Sequence, residues 1–385
     1  MGWRESSPMD ERYQFVTEYA SELFSLTELA EQYGISRKTA YKWLARYQAE
    51  GATGLVDRPS RPGQSPHATP EELIEAIVAL RRRHPRWGAR KLLAILRERQ
   101  PEEPWPSRST VCAQLKARGL VVARRRRGAG GLHPPATLAP ITRPNETWTV
   151  DFKGEFRTGD GRYCYPLTLR DGFSRYVLRC DALLSCGYAP TRRRFERAFA
   201  EYGLPDRIRS DNGGPFAAPG LGRLSRLSVW WIRLGIVPER IALGRPDQNG
   251  SHEQFHAVLK AETTRPPAAN HRGQQQRFRH FGREYNYDRP HEALGDHPPA
   301  RWYQPSARRL PGRVPPLEYP GHLETRRVDA GCIKWKGVAV FLSHVLDGEV
   351  VAFEEVDDGV WTLYFATYPL ARFEARTQTL LPLRP

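Results

Sequence analysis

Cysteine is scarce in this chain, five residues in 385, and no two of them stand as Cys-x-x-Cys. Cys112, Cys164, Cys180, Cys186 and Cys332 are scattered and odd in number, which supports neither a disulfide framework nor a zinc knuckle. They read as small apolar residues in a reducing cytoplasm. Long apolar runs are lacking too: none approaches a membrane span, and MGWRESSPMDERYQF has no signal-peptide core. With no Walker-type glycine-rich loop, nothing marks an ATPase. Acid is in short supply, 43 Asp and Glu against 59 Lys and Arg, for a formal net charge of +16. The excess is largely arginine, whose planar fork suits phosphate. Composition therefore points to nucleic acid as partner, ahead of an acidic protein or a membrane surface.

Punctuation divides the chain. Residues 1–57 read as helical and end in a Pro/Arg/Ser linker, 58–69; residues 70–123 are helical again. A basic Gly/Pro linker, 124–144, leads to a mixed α/β region over 145–305. After a second linker, 306–318, short alternating runs such as CIKWKGVAVFL and VWTLYFA predict a small antiparallel β-domain over 319–385, expected to be barrel-like.

SLTELAEQYGISRKTAYKWLARYQAEG has the pattern of a helix-turn-helix. Leu26, Leu29 and Ala30 line one face, Gly34 supplies the turn, Ile35 plugs the junction and Ser36 caps a second helix. Tyr41, Leu44 and Tyr47 are its expected core stripe, while Arg37, Lys38, Thr39 and Lys42 stand where a recognition helix meets bases and phosphates. The second helical region has three amphipathic helices and then a β-like LVV, the order of a winged helix. Its third helix opens at Ser107 with Arg108 and Ser109; Arg90, Lys91, Arg124, Arg125, Arg126 and Arg127 add phosphate-binding charge.

Three carboxylates stand out in the α/β region. WTVDFKGEF alternates as a half-buried strand, with Asp151 on the face opposite Trp148 and Val150. IRSDNGGPF puts Asp211 where an apolar strand meets a glycine turn, and GRPDQNGSHEQFHAVLK puts Glu253 in the first turn of a helix opened by a Ser251–Gln254 capping box. Each acid alone has an ordinary structural explanation. Together they would repel one another unless a cation sat between them. All-oxygen ligation suits Mg²⁺ or Mn²⁺, and two such ions can activate both oxygens of a phosphoryl displacement.

TVDF, SDNGGPF, GRPDQNGSHEQFH and YNYDRPHEALG resemble the catalytic core of DDE insertion-sequence transposases, which are akin to retroviral integrases. The resemblance spans roughly residues 145–305, and it implies a ribonuclease-H-like fold with a mixed five-stranded sheet flanked by helices. It implies a triad of Asp151, Asp211 and Glu253 as catalytic and metal-holding residues, with two ions once DNA is bound. It also implies DNA cutting that leaves a 3′-hydroxyl, and joining by transesterification. Asn212, His256, Lys260, Arg289 and His291 are candidate contacts to the DNA backbone. LGRLSRLSVWWIRLG reads as a helical insertion, and the zinc module of retroviral integrases is replaced by the helix-turn-helix pair. Expected partners are the terminal repeats of a mobile element, target DNA and further copies of this chain. The competing reading is a DNA-binding regulator descended from a transposase.

Overall fold

The computed structural model describes residues 7–58, 69–121, 140–242 and 250–383. Its contacts group the chain into two compact units, Met1–Pro70 and Glu71–Pro385.

Among its described residues the first unit holds three α-helices, α1 (Pro8–Ala20), α2 (Leu26–Gln32) and α3 (Arg37–Glu50). Each starts at a serine: Ser7 and Ser25 form capping boxes with Asp10 and Glu28, and Ser36 accepts from the Thr39 amide. Gly34 turns the chain at φ +62°, a conformation that favours glycine. Phe15, Val16, Leu29, Ala30, Ala40, Trp43, Leu44 and Leu55 form the core. The expected stripe on α3 is therefore shifted. Tyr41 is 64% exposed and Trp43 takes the inner position, with the cations of Arg12 and Lys42 over its ring at 4.0 and 4.3 Å.

In the second unit, α4 (Glu71–Arg83), α5 (Ala89–Arg99) and α6 (Arg108–Ala117) pack around Trp87, Ile77, Leu92 and Val111. Ser107 caps α6, as expected. Leu120 and Val121 form no strand, so the anticipated wing is not seen among the described residues. The Arg124–Arg127 run lies outside them.

The central sheet is built from β1 (Thr147–Phe152), β2 (Phe156–Arg157), β3 (Tyr163–Asp171), β4 (Val177–Leu183), β5 (Arg207–Ser210) and β6 (Val237–Arg240). Its main order is β4-β3-β1-β5-β6, with the two-residue β2 extending it beside β3. The β4-β3-β1 part is antiparallel and the β1-β5-β6 part parallel, the expected mixed sheet. On one face α7 (Tyr188–Tyr202) and α8 (Arg226–Arg233) bury Trp148, Val150, Leu167 and Leu169 under Phe195, Phe199, Trp230 and Trp231. On the other, α9 (Gly250–Thr263) and α10 (His271–Tyr287) lay Phe255, Leu259, Phe278, Phe281 and Tyr285 over Cys164, Cys180 and Ala182. The open edge of β4 is not left bare. Asn286 bonds both the amide and the carbonyl of Val177, while Gln275 bonds the Ala182 amide and the Cys180 carbonyl.

The C-terminal region departs from expectation. It contains β7 (Glu324–Arg327), β8 (Cys332–Trp335), β9 (Val338–Phe341), β10 (Val350–Asp357), β11 (Val360–Phe365), β12 (Tyr368–Glu374) and β13 (Thr379–Leu381). Five of these run β13-β12-β11-β10-β7 with two free edges, and β8–β9 is a separate pair. The sheets are open, not barrel-like. Closure needs a pairing between end strands, a long-range property that alternation along short runs does not specify. The sheet also shares its core with the insertion: Leu224, Val229 and Ile232 pack among Val351, Phe353, Leu363 and Leu370. Arg233 clamps the same junction, 2.6 Å from Glu349.

Candidate active site

β1 and β5 are parallel, with Thr147 beside Arg207, Trp148 beside Ile208 and Thr149 beside Arg209. Continuing that register places Asp151 beside Asp211. Side chains at equal register on neighbouring strands leave the sheet on one face. Two carboxylates thus stand side by side where the parallel strands end, the position at which open α/β sheets display reactive groups. Asp211 keeps space around it: its Oδ1 accepts from the Gly213 amide at 3.2 Å, and a Cβ on Gly213 would stand 3.1 Å from Oδ2.

α9 lies over this face. Thr168, opposite Asp151 across the β1–β3 pair, has its Oγ1 2.7 Å from His252 Nε2, 2.7 Å from His256 Nε2 and 3.0 Å from the Asp151 carbonyl. A threonine hydroxyl has one hydrogen. With that hydrogen on the Asp151 carbonyl, both imidazoles donate from Nε2. His252 Nδ1 then accepts from Thr149 Oγ1 at 3.0 Å, and His256 Nδ1 faces Asp151 Oδ2 at 3.6 Å, beyond hydrogen-bond reach. Both rings are buried. Burial first, then neighbouring positive charge, holds His256 down at about 3 and His252 well below its usual value, so both are neutral at pH 7.

Asp151 moves the other way. Burial, then the charge of Asp211 and, least, that of Glu253 push its carboxyl up to about 7. The aspartates are gathered; Glu253 stands exposed on α9 at the margin of their field. Among the described residues no three of His, Cys, Asp and Glu are close enough to hold a metal ion. Asp247, a further acid in GRPDQNG, lies outside the described residues.

Beneath α9 is a group the sequence did not advertise. Arg170, 2% exposed, donates to the Ser251 carbonyl at 3.0 Å and stacks its guanidinium over Phe255 at 4.6 Å. The burial of a strand arginine has no sequence signal. The His-x-x-x-His spacing of His252 and His256, one helical turn apart, is a signal that could have placed both on the inner face of α9.

The other candidates divide sharply. Arg37, Lys38, Lys42, Arg108, Ser109 and Lys260 are exposed, and Thr39 is half-buried beside the Ser36 cap. His256 is buried, not on the outer face with Glu253 and Lys260; α9 already includes Gly250, so Ser251 sits inside the helix and not at its cap. Asn212 donates to the Ile241 carbonyl and accepts from Arg223, tying the ends of β5 and β6. Arg289, 6% exposed, gives one guanidinium nitrogen to both Glu262 oxygens at 3.0 and 3.1 Å. His291 is half-buried against Tyr285, 4.6 Å between rings. In place of a free phosphate contact, Arg90 pairs with Asp296 and Glu292 on the core; burial and the Arg289 charge hold Lys91 down at about 8.

Models of the integrase core domain match residues 141–246 and 234–299. A helix-turn-helix domain model matches 11–63 and a homeodomain-like domain model 39–115. An uncharacterized 39.2 kDa protein of insertion element IS476 from Xanthomonas euvesicatoria is 27% identical over 270 residues, 70% of this chain and 75% of its own length. An uncharacterized 31.7 kDa protein of insertion element IS407 from Burkholderia multivorans is 27% identical over 230 residues, 58% of this chain and 78% of its own. The chain thus carries an integrase core behind helix-turn-helix modules and is similar to proteins encoded by bacterial insertion elements. The match to a chain in the solved structure of the simian T-cell lymphotropic virus intasome covers 76% of this chain and 98% of that one at 14% identity and a TM-score of 0.38, too slight a likeness to argue from. Among the described residues no helix is long and apolar enough to cross a membrane.

Proposed function

We propose that this protein is a transposase that binds the ends of a mobile element, cuts a phosphodiester there to leave a 3′-hydroxyl, and joins that hydroxyl to target DNA. One observation carries the reading: two aspartates in register at the end of parallel strands, with the Asp151 carboxyl pushed up to about 7 by burial and by Asp211. Such a pair suits a hard divalent cation, and the space kept by Gly213 beside the Asp211 carboxylate favours the same occupant. Asp151 and Asp211 would hold Mg²⁺ or Mn²⁺, with Glu253 as third ligand and two ions when DNA is bound. The metal would supply Lewis acidity, lowering the pKa of an attacking water or hydroxyl and stabilising charge on the phosphate.

The protein's own groups do the rest. Asp151 gives up its carboxyl proton as a cation is held. Thr168, His252 and His256 lock the first turns of α9 over β1 and β3, with Thr168 bonded to the Asp151 backbone carbonyl. In cutting, water oxygen bonds to phosphorus as the bond to the 3′ oxygen breaks, and that oxygen leaves with a proton. In joining, this 3′-hydroxyl attacks a target phosphorus and displaces the target's own 3′ oxygen. Neither step needs a protein nucleophile. The exposed residues of α3 and α6 would bind the element's terminal repeats, and two ends held together imply self-association.

The competing regulator reading draws on one observation, that no three ligands are assembled among the described residues. One experiment decides. With Mg²⁺ and end-labelled DNA from the element's terminus, the wild type should nick at the terminus, and Asp211→Asn should bind equally and not cut. Equal nicking by both would reject this site; binding without cutting by either would favour the regulator.

A further inference from the structure

α9 carries Glu253 near one end. At its other end it meets the turn between α4 and α5, which forms a cleft of ≈ 350 Å³ lined by Arg83, His84, Arg86, Glu262, Arg265 and Glu284 among others. The charges there do not balance. Glu262 is paired with Arg289 at 3.0 Å, and Glu284, bonded to the His84 ring at 2.9 Å, sets a single carboxylate charge against three arginines. Arg83, Arg86 and Arg265 are exposed, and among the described residues none has an acidic partner. Three guanidiniums therefore converge on a groove with too little carboxylate charge to balance them.

The junction is built rather than incidental. Arg90 bonds Asp296 at 2.8 Å and also pairs with Glu292, so α5 is fixed to the core beside the cleft. His84 stacks on Trp87, 3.9 Å between rings, which orients it toward Glu284. Spacing adds a second argument. Glu253 and Glu262 are nine residues apart on one helix, about 14 Å at 1.5 Å per residue. That is about four base pairs of duplex at 3.4 Å each. Lys260 is exposed on α9 between them.

We propose that this cleft, made jointly by the second helical module and the core, seats the phosphodiester backbone of the DNA being cut, about four base pairs from the reacting bond. The inference rests on the transposase reading and adds to it a named phosphate site. It makes the docked α4–α6 module part of the DNA-positioning surface, through its inter-helix turn as well as through α6.

The test replaces Arg83, Arg86 and Arg265 by alanine together in the full chain. Binding is measured across a salt series, on duplex from the element's terminus and on an unrelated duplex of equal length. Each lost phosphate contact lowers the slope of log affinity against log salt by about 0.9, so the triple variant should lose roughly two to three units of slope and about tenfold in affinity near physiological salt. Both duplexes should suffer alike, because phosphates carry no sequence. Lysine at all three positions should restore most of the binding. A methylphosphonate about four base pairs from the cut should weaken the wild type and add nothing to the triple variant. An unchanged salt slope in a variant with wild-type melting temperature overturns the proposal, as does retention of polyglutamate in preference to DNA. If the wild type nicks and the variant matches it, the cleft falls and the transposase reading stands; if the wild type does not bind DNA, both fall.

Discussion

Trp148 and Val150 leave β1 on one side, Thr149 and Asp151 on the other, and the two sides are packed by different rules. The first meets Phe195, Phe199, Trp230 and Trp231, a dry interface of rings and aliphatic groups. Opposite β1 and the middle of β3, the second buries Thr168, Arg170, His252 and His256, tied by hydrogen bonds of 2.7–3.0 Å. Apolar packing is stabilising and indifferent to small rotations, whereas a hydrogen-bonded polar layer fixes direction at a cost in desolvation. The α7/α8 face thus holds the sheet, and the α9 face aims what stands on it.

That division is open to attack from either side. The largest expected effect is on chemistry: Asp211→Asn should lower nicking by at least about a thousandfold, roughly 4 kcal/mol of barrier, with DNA affinity unchanged in a binding assay. On the dry face, Trp231→Ala should cost about 3–5 kcal/mol in urea unfolding, since Trp231 is fully buried against Phe195. Asp151→Asn should do the opposite. The Asp151 carboxyl is raised in the fold from 3.8 to about 7, so its contribution favours the native state below about pH 4 and is lost as pH climbs through 7. Without divalent cations, the asparagine variant should be more stable than wild type by roughly 2–4 kcal/mol at pH 8 and no different at pH 4. Thr168→Val, which leaves two imidazoles without their acceptor, should cost about 1–3 kcal/mol, with Thr168→Ser close to wild type by the same unfolding curves. Tyr41→Ala, on the exposed side of α3, should change stability by less than about 0.5 kcal/mol.

Local patterns in the sequence carried the parts of this architecture that depend on local physics. Alternation in TWTVDF placed Asp151 opposite Trp148, the glycine turn after Ser210 placed Asp211 at a strand end, and serines at 36 and 107 marked helix starts. What escaped depends on residues far apart. Arg170 looks like any half-exposed strand arginine until α9 closes over it. Arg90 and Arg289 look like free cations until Asp296 and Glu262 arrive from other elements. His256 shares helical spacing with Lys260 and Glu253, yet one turn from His252 it falls on the inner side. Tyr41 and Trp43 are both aromatic, and only packing against α1 and α2 chooses Trp43 for the core. The open C-terminal sheet and its shared core with α8 are of the same kind, decided by which strand ends and helix faces meet.

The central claim is that Asp151 and Asp211 together make a seat for a divalent cation. Titration of Mn²⁺ into the purified protein, followed by loss of the free-ion EPR signal, tests it without reference to catalysis. The account predicts saturable binding at about pH 8 that weakens steadily as pH falls below about 7, where Asp151 takes up its proton, and that is lost in Asp211→Asn. Binding of equal strength in wild type and Asp211→Asn, or no dependence on pH across that range, would contradict it.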